Sequence, residues 1–205
     1  GSSIVDHIDD GARVVVSTPG AEPVAERGYG AAVVLDTWAQ LDRFDLRVDE
    51  NAVRRWMSVG ALIRPRGDGG AMVIVADAAL TPVQAVIRWD PVGFAAHELA
   101  NRVELGFPPA VTMASIDGDT ASVNAFTDLI ELPEGADVLG PVPLPAGVRP
   151  PAGVPEGAEL ERLLVRTDRR HGRQLTAALT EAQVRRNTHH ETGAVRVQVD
   201  PPTIG

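Results

Sequence analysis

Short apolar runs and helical periodicities follow one another along this chain, and their order divides it into three stretches. Near the start, Arg13-Val14-Val15-Val16-Ser17 and Gly30-Ala31-Ala32-Val33-Val34-Leu35-Asp36 are valine-rich. Both have the length and composition of strands buried on two faces of a parallel sheet. A third such run, Ala71-Met72-Val73-Ile74-Val75-Ala76, follows Gly69-Gly70. In front of it, Val53, Trp56, Met57 and Gly60 recur at helical spacing. The pattern therefore predicts a helix over 49–63, with Asp49 as its cap. Strand, strand, helix, strand is part of an α/β domain. Three strands are few for a sheet of this class, so the pattern implies a domain truncated at its N-terminus.

Residues 81–105 read as two helices. Thr81-Pro82 supplies a cap followed by proline at the first helical position. Asp90-Pro91 starts a second helix that runs through His97, Asn101 and Glu104 until Gly106-Phe107-Pro108-Pro109 stops it. The predicted layout is a domain over 4–80, a helical linker over 81–106, and a second domain over 107–205.

That second domain has a clear order. Residues 110–116 read as a strand, and Asp119-Thr120 caps a helix through about Leu132. Residues 137–142 read as a strand, and the Pro/Gly-rich stretch 143–157 as a loop. Residues 159–167 are a further strand. A helix opens at Asp168 or a neighbour and runs to about Asn187, with Leu175, Leu179 and Ala182 on one face. Residues 194–199, Ala-Val-Arg-Val-Gln-Val, alternate as a half-buried strand does. The order is βαββαβ, the split βαβ or ferredoxin-like arrangement. It predicts an antiparallel sheet with two helices on one face and the other face open. The fold class is thus α/β followed by α+β.

Composition narrows the possibilities. The chain has 205 residues, 44% of them hydrophobic, and only eight aromatics, so aliphatic side chains must build the cores. No apolar run reaches the roughly 18 residues of a transmembrane helix, and no signal-peptide pattern is present. Gly1-Ser2-Ser3 lacks an initiator methionine and reads as an added tag or a cut through a longer protein, so it carries no weight in the fold. There is no cysteine, which excludes disulfides and zinc–thiolate sites from these residues. The formal net charge is -9, which argues against a general nucleic-acid footprint. Every basic residue is arginine and none is lysine. A GC-rich coding bias explains that better than selection for a function does.

Three groups of residues carry a family resemblance. The first is Leu35-Asp36-Thr37 with Phe44-Asp45-Leu46-Arg47 and Glu50. The second is Glu98 with Glu104-Leu105-Gly106-Phe107-Pro108-Pro109. The third is Val138-Leu139-Gly140-Pro141-Val142-Pro143 with the terminal Val197-Gln198-Val199-Asp200-Pro201-Pro202-Thr203-Ile204-Gly205. In order and spacing they resemble the C-terminal part of the primosomal protein N′ (PriA) family of replication-restart helicases, and the resemblance covers nearly the whole chain. It implies that residues 4 to about 80 are the second, RecA-like helicase lobe. It also implies that residues from about 107 onward are a C-terminal domain with a fold like that of ribosomal protein S10.

One stretch departs from the family pattern. Where the family reads Gln-Val-Ala-Gly-Arg-Ala-Gly-Arg, this chain has Ser58-Val59-Gly60-Ala61-Leu62-Ile63-Arg64-Pro65. Leu62 and Pro65 stand at the positions of the two arginines. Arginines at such positions stabilise the transferring phosphoryl group, an effect of roughly 10³ to 10⁵ in rate. Leucine and proline offer no donor in their place. Arg64 or Arg66 substitutes only after a slip in register. An earlier family motif, Gly-Thr-Gln with Lys-Gly-His, survives as little more than Ser17-Thr18 and Gly28. The resemblance is therefore to the actinobacterial type with degenerate helicase motifs, which is regarded as lacking helicase activity. Zinc and ATP serve the family through regions absent or degenerate here, so no cofactor is expected for these residues. The implied setting is the cytoplasm, associated with the nucleoid, without membrane contact. The implied partners are forked or branched DNA, other primosome proteins, and the acidic C-terminal tail of single-stranded-DNA-binding protein.

The densest basic cluster is Arg162, Arg166, Arg169, Arg170, His171 and Arg173, with five arginines in twelve residues at a strand-to-helix junction. Guanidinium groups and a helix N-terminus both suit phosphates or an acidic peptide. By the resemblance, Arg169 and Arg173 fall where the family's tail-binding helix begins. The competing reading is a solvated face partly neutralised by Glu159, Glu161 and Asp168, and the binding reading is preferred. His189-His190 is better read as an exposed helix end than as a metal site. Trp38, Trp56 and Trp89 are scattered singly and suit packing better than base stacking. Asp45, Arg47 and Glu50 read as a structural ion-pair group at a helix start rather than an acid–base site. No catalytic residue is assigned. Two other readings stand beside the leading one: a DNA-dependent ATPase or 3′-5′ helicase retained in the full-length protein, and an interaction scaffold that binds no DNA.

Overall fold

Residues 31–34 and 71–74 are wholly apolar, and along both runs exposed positions alternate with half-buried ones. A computed structural model of the chain describes residues 5–11, 13–42, 45–154, 157–188 and 193–204. The early elements are β1 (His7–Ile8), β2 (Val24–Ala25), β3 (Ala31–Val34), α1 (Thr37–Leu41), α2 (Val48–Ala61), β4 (Ala71–Ile74), α3 (Thr81–Arg88) and α4 (Pro91–Leu105). Then come β5 (Val111–Gly118), α5 (Thr120–Asp128), β6 (Asp137–Pro143), β7 (Glu161–Asp168), α6 (Gly172–Thr188) and β8 (Val195–Val199). The chain divides into two compact units, residues 1–43 with 47–96, and residues 44–46 with 97–205.

In the first unit β3 and β4 pair in parallel, Ala31 with Ala71 through Val34 with Ile74. Ala52, Val53 and Trp56 of α2 build the core with Val83, Ala85 and Val86 of α3 and Phe94 of α4. Val34, Met72 and Ile74 of the strands pack against that cluster. The residues expected as a linker therefore divide: 81–96 belong to the first unit's core, and the end of α4 belongs to the second unit. The predicted strand at 13–17 does not form. Among the described residues no strand pairs with it, and Val14 and Val16 are 91% and 93% exposed. Valine content favours an extended chain but cannot make a strand, because each N–H and C=O still needs a partner across the ladder.

Two predicted caps also move. Asp49 lies inside the first turn of α2 with Glu50, where both carboxylates suit the positive end of the helix dipole, and Arg47 takes the cap position. Leu80, with extended backbone, precedes Thr81 at the start of α3.

The second unit follows the predicted β5-α5-β6-β7-α6-β8 order. Its sheet runs β6-β7-β5-β8, and every neighbouring pair is antiparallel. Helix α5 starts as expected, with Asp119 accepting the Ser122 amide at 2.9 Å, but it ends at Asp128 rather than near Leu132. Ala114 and Ile116 of β5 and Leu163 and Val165 of β7 share a core with Val123 and Phe126 of α5 and Leu175, Leu179 and Ala182 of α6. Both helices thus cover one face.

The other face is closed, not open as its alternation predicts. Met113, Ser115 and Asp117 on that side of β5 are fully buried, and Leu164 of β7 is buried as well. The returning C-terminal segment and the Pro-rich loop cover it. Pro201 and Pro151 are buried, Arg162 Nη1 donates to the Thr203 carbonyl, and Arg196 Nη1 donates to the Arg149 carbonyl at 2.8 Å. The buried Arg102 of α4 fastens the segment before β5, donating to the Pro108 carbonyl at 2.8 Å and to the Leu46 carbonyl, while Leu46 N–H donates to Pro202 at 2.8 Å. No helix among the described residues is long and apolar enough to cross a membrane.

Candidate functional site

The pairing of β5 with β7 decides which arginines reach solvent. Arg162 stands directly opposite Asp117. Its Nε and Nη2 donate to the two Asp117 carboxylate oxygens at 2.7 and 2.9 Å, and the two side chains are 1% and 0% exposed. All its donors face protein, so Arg162 is a structural residue of the sheet and not part of a binding surface. Arg166, four positions on, shares that side of the strand. It pairs with Asp137 at 3.0 Å and reaches the carbonyls of Leu105 and Gly106.

Beyond the end of β7 the geometry changes. Asp168 keeps extended backbone and Arg169–His171 form one tight turn. Arg170 turns back onto Asp168 at 3.0 Å on the surface. Gly172 then begins α6 against β5. A Cβ on Gly172 would lie 2.3 Å from Thr112 Oγ1, so any larger residue would push the helix start off the sheet. That close approach leaves Arg169 and Arg173 exposed at the rim, and neither has a hydrogen-bond or ion-pair partner among the described residues. No acidic residue occupies the first turn of α6, so the dipole there is not neutralised by the helix itself.

These two arginines line a groove of about 780 Å³. Pro109, Val111, Thr112, Val199 and Asp200 form one wall, and Arg169, Arg173, Thr176, Ala177, Thr180 and Glu181 the other. Asp200 adopts a left-handed backbone (φ 47°), donates its N–H to the Met113 carbonyl at 2.7 Å and accepts the Met113 amide at 3.1 Å. This double bond fixes the start of the terminal Asp-Pro-Pro segment as a groove wall. An exposed guanidinium pair at the start of a helix whose first turn carries no acidic residue is suited to hold a carboxylate or phosphate. The groove thus brings together Arg169 and Arg173 from the predicted cluster and leaves out Arg162, Arg166 and Arg170. Sequence reasoning missed the walls from 109–112 and 199–200, and it missed Glu181. Beside those two arginines, the sequence signal for the groove is Gly172, small where the helix must touch the strand.

The other predicted residues are placed as follows. Ser58 donates its hydroxyl to the Arg54 carbonyl within α2 at 2.9 Å, and Leu62 ends that helix. Tyr29 and Ile63 form a parallel bridge, and Arg64 lies along Gly28 and Gly30 with its side chain exposed. Pro65 opens the short turn at Arg66–Asp68. Trp56 is buried in the first core, Trp89 packs against Gly60, and Trp38 is exposed. Asp45, Arg47 and Glu50 each have an interaction partner. His189 and His190 lie outside the described residues. Among the described residues no group of three or more acidic or histidine side chains is arranged to hold a metal.

Residues 103–202 match the family model of the primosomal protein N C-terminal domain. The second unit therefore carries a domain of the primosome class. Along its whole length the chain is 50% identical to the probable replication restart protein PriA of Mycobacterium leprae and 48% identical to that of Mycobacterium tuberculosis. It spans 32% of the length of each of these relatives. The chain belongs to the replication restart protein PriA family and matches its C-terminal part.

Proposed function

We propose that this chain is a recognition part of a replication-restart protein, and that the groove at the start of α6 receives an anionic peptide, the acidic tail of single-stranded-DNA-binding protein. The carrying observation is the pair Arg169 and Arg173, without partners among the described residues, on the rim of a groove at the start of α6, whose first turn carries no acidic residue. Forked or branched DNA engages the same unit through its exposed arginines, Arg169, Arg170 and Arg173, and other primosome proteins join the assembly. In this reading the first unit is a RecA-like lobe in a supporting role, and the second has the S10-like fold of the family.

The residues present do not fit the family's other groups. Leu62 and Pro65 have no side-chain donor for a nucleotide phosphate, and a chain without cysteine has no thiolate set for zinc. The lobe accordingly works here without helicase activity.

Charge-assisted hydrogen bonds are worth about 1.5–3 kcal/mol each. Arg169→Ala and Arg173→Ala should therefore each weaken binding of an acidic tail peptide by roughly tenfold or more. Fork-DNA affinity should fall steeply with salt, as phosphate contacts require. Unchanged affinity for both ligands in both variants would remove the assignment. The net charge of -9 favours one competing reading, a scaffold that binds no DNA; it predicts no DNA binding at any salt concentration. In the full-length protein, DNA-stimulated ATP hydrolysis lost on Arg64→Ala would establish a retained ATPase instead.

A further inference from the structure

The groove is not uniformly basic. Arg173, Ala177 and Glu181 recur every four residues along α6, so they share one face of the helix and all three line the groove. At about 1.5 Å rise per residue, Glu181 stands about 12 Å beyond Arg173. Between them lie Thr176, Ala177 and Thr180, opposite Val111 and Val199, with Asp200 on the facing wall. The groove therefore has a positive end, made by Arg169, Arg173 and the helix N-terminus, and a negative end at Glu181.

The charges around Glu181 leave it available to a ligand. Arg185 approaches it at 3.9 Å, but the same guanidinium donates to Glu131 at 2.8 Å. The raised Arg185 pKa has that Glu131 hydrogen bond as its largest cause, ahead of the attraction from Glu181. Asp200, the other carboxylate of the groove, is engaged by the Met113 amide.

We propose that Glu181 is a specificity-determining residue, which requires the bound peptide to carry its negative charge at the end held by Arg169 and Arg173 and disfavours a carboxylate farther along. This rests on the groove being a peptide site. An extended peptide advances about 3.3 Å per residue, so the disfavoured position lies roughly four residues from the anchored end. Two like charges about 7 Å apart in solvent weaken binding by about two- to three-fold at low salt, and by less as screening rises.

The test uses the 205-residue chain and synthetic hexapeptides with a free C-terminal carboxylate and a fixed aspartate next to it. A second aspartate is moved one position at a time toward the N-terminus, with asparagine at the same position as its control. Fluorescence anisotropy at low salt reads the affinities. The expected result is a two- to three-fold penalty for aspartate over asparagine near the fourth position. Glu181→Gln abolishes that penalty and Glu181→Arg reverses it. Glu181 is exposed and lies outside the core cluster, and thermal melts by circular dichroism verify that the variants fold. If no peptide binds the parent chain, the peptide-groove reading and this proposal both fall. If peptides bind and lose affinity on Arg173→Ala, yet the aspartate scan is flat or its penalty survives Glu181→Gln, the groove reading stands and the role of Glu181 is refuted.

Discussion

The Asp117–Arg162 pair gives the sharpest energetic prediction. Asp117→Asn keeps the side-chain shape but removes the charge. Arg162 then remains buried with the Thr203 carbonyl and a neutral amide as its partners. Breaking a buried pair by removing one partner costs about 3–5 kcal/mol, because the remaining charge is uncompensated. That is a large part of the roughly 5–15 kcal/mol that stabilises a typical domain. The urea midpoint of the second unit should fall by about 2 M, given slopes of about 1–3 kcal/mol per molar urea. Trp38, Trp56 and Trp89 all lie in the first unit, so tryptophan fluorescence does not report this transition and far-UV circular dichroism is the suitable probe. The double variant Asp117→Leu with Arg162→Met removes both charges while keeping the volume filled, and it should recover most of the loss. A cost below about 1 kcal/mol for Asp117→Asn, or no recovery in the double variant, would refute the reasoning.

Two further predictions concern the elements that hold the site. Asp119→Ala removes the cap of α5 and should cost about 1 kcal/mol, read by chemical denaturation. The hydroxyl of Ser122 and then its amide hold the Asp119 carboxyl below the usual carboxylate range. The parent should therefore keep this contribution above the ordinary aspartate pKa, about 3.9, and lose it as pH falls below that value; the Ala variant should show a flatter acid limb. Gly172→Ala places a methyl on Thr112 Oγ1 and should destabilise the second unit by about 1–3 kcal/mol. It should also weaken acidic-peptide binding more than Gln174→Ala, a change on the same turn outside the groove lining.

The order of elements in the second unit was legible because each signal is local. Alternation marks β8, the Asp-Thr cap marks α5, and the Leu175, Leu179 and Ala182 spacing marks the buried face of α6. What closes the sheet's other face was not legible, since that depends on where the distant segment 200–204 returns. The failed strand at 13–17 has the same origin: propensity is local, but a ladder partner is not. The arginine run shows the limit most plainly. Charge counting treats Arg162 and Arg169 alike. Their fates separate only when the register sets Arg162 across from Asp117 and ends β7 before Arg169. Strand alternation alone already places Arg162, Leu164 and Arg166 on one side. The groove walls at Val111 and Val199 required the sheet order itself.

Binding of an anionic tail at the start of α6 is best tested by locating it. An acidic tail peptide titrated into isotope-labelled chain should move the amide resonances of Thr112, Gly172, Arg173, Ala177 and Asp200 together, with one dissociation constant that rises with salt. Shifts confined to other surfaces, or none at saturating peptide, would contradict the account.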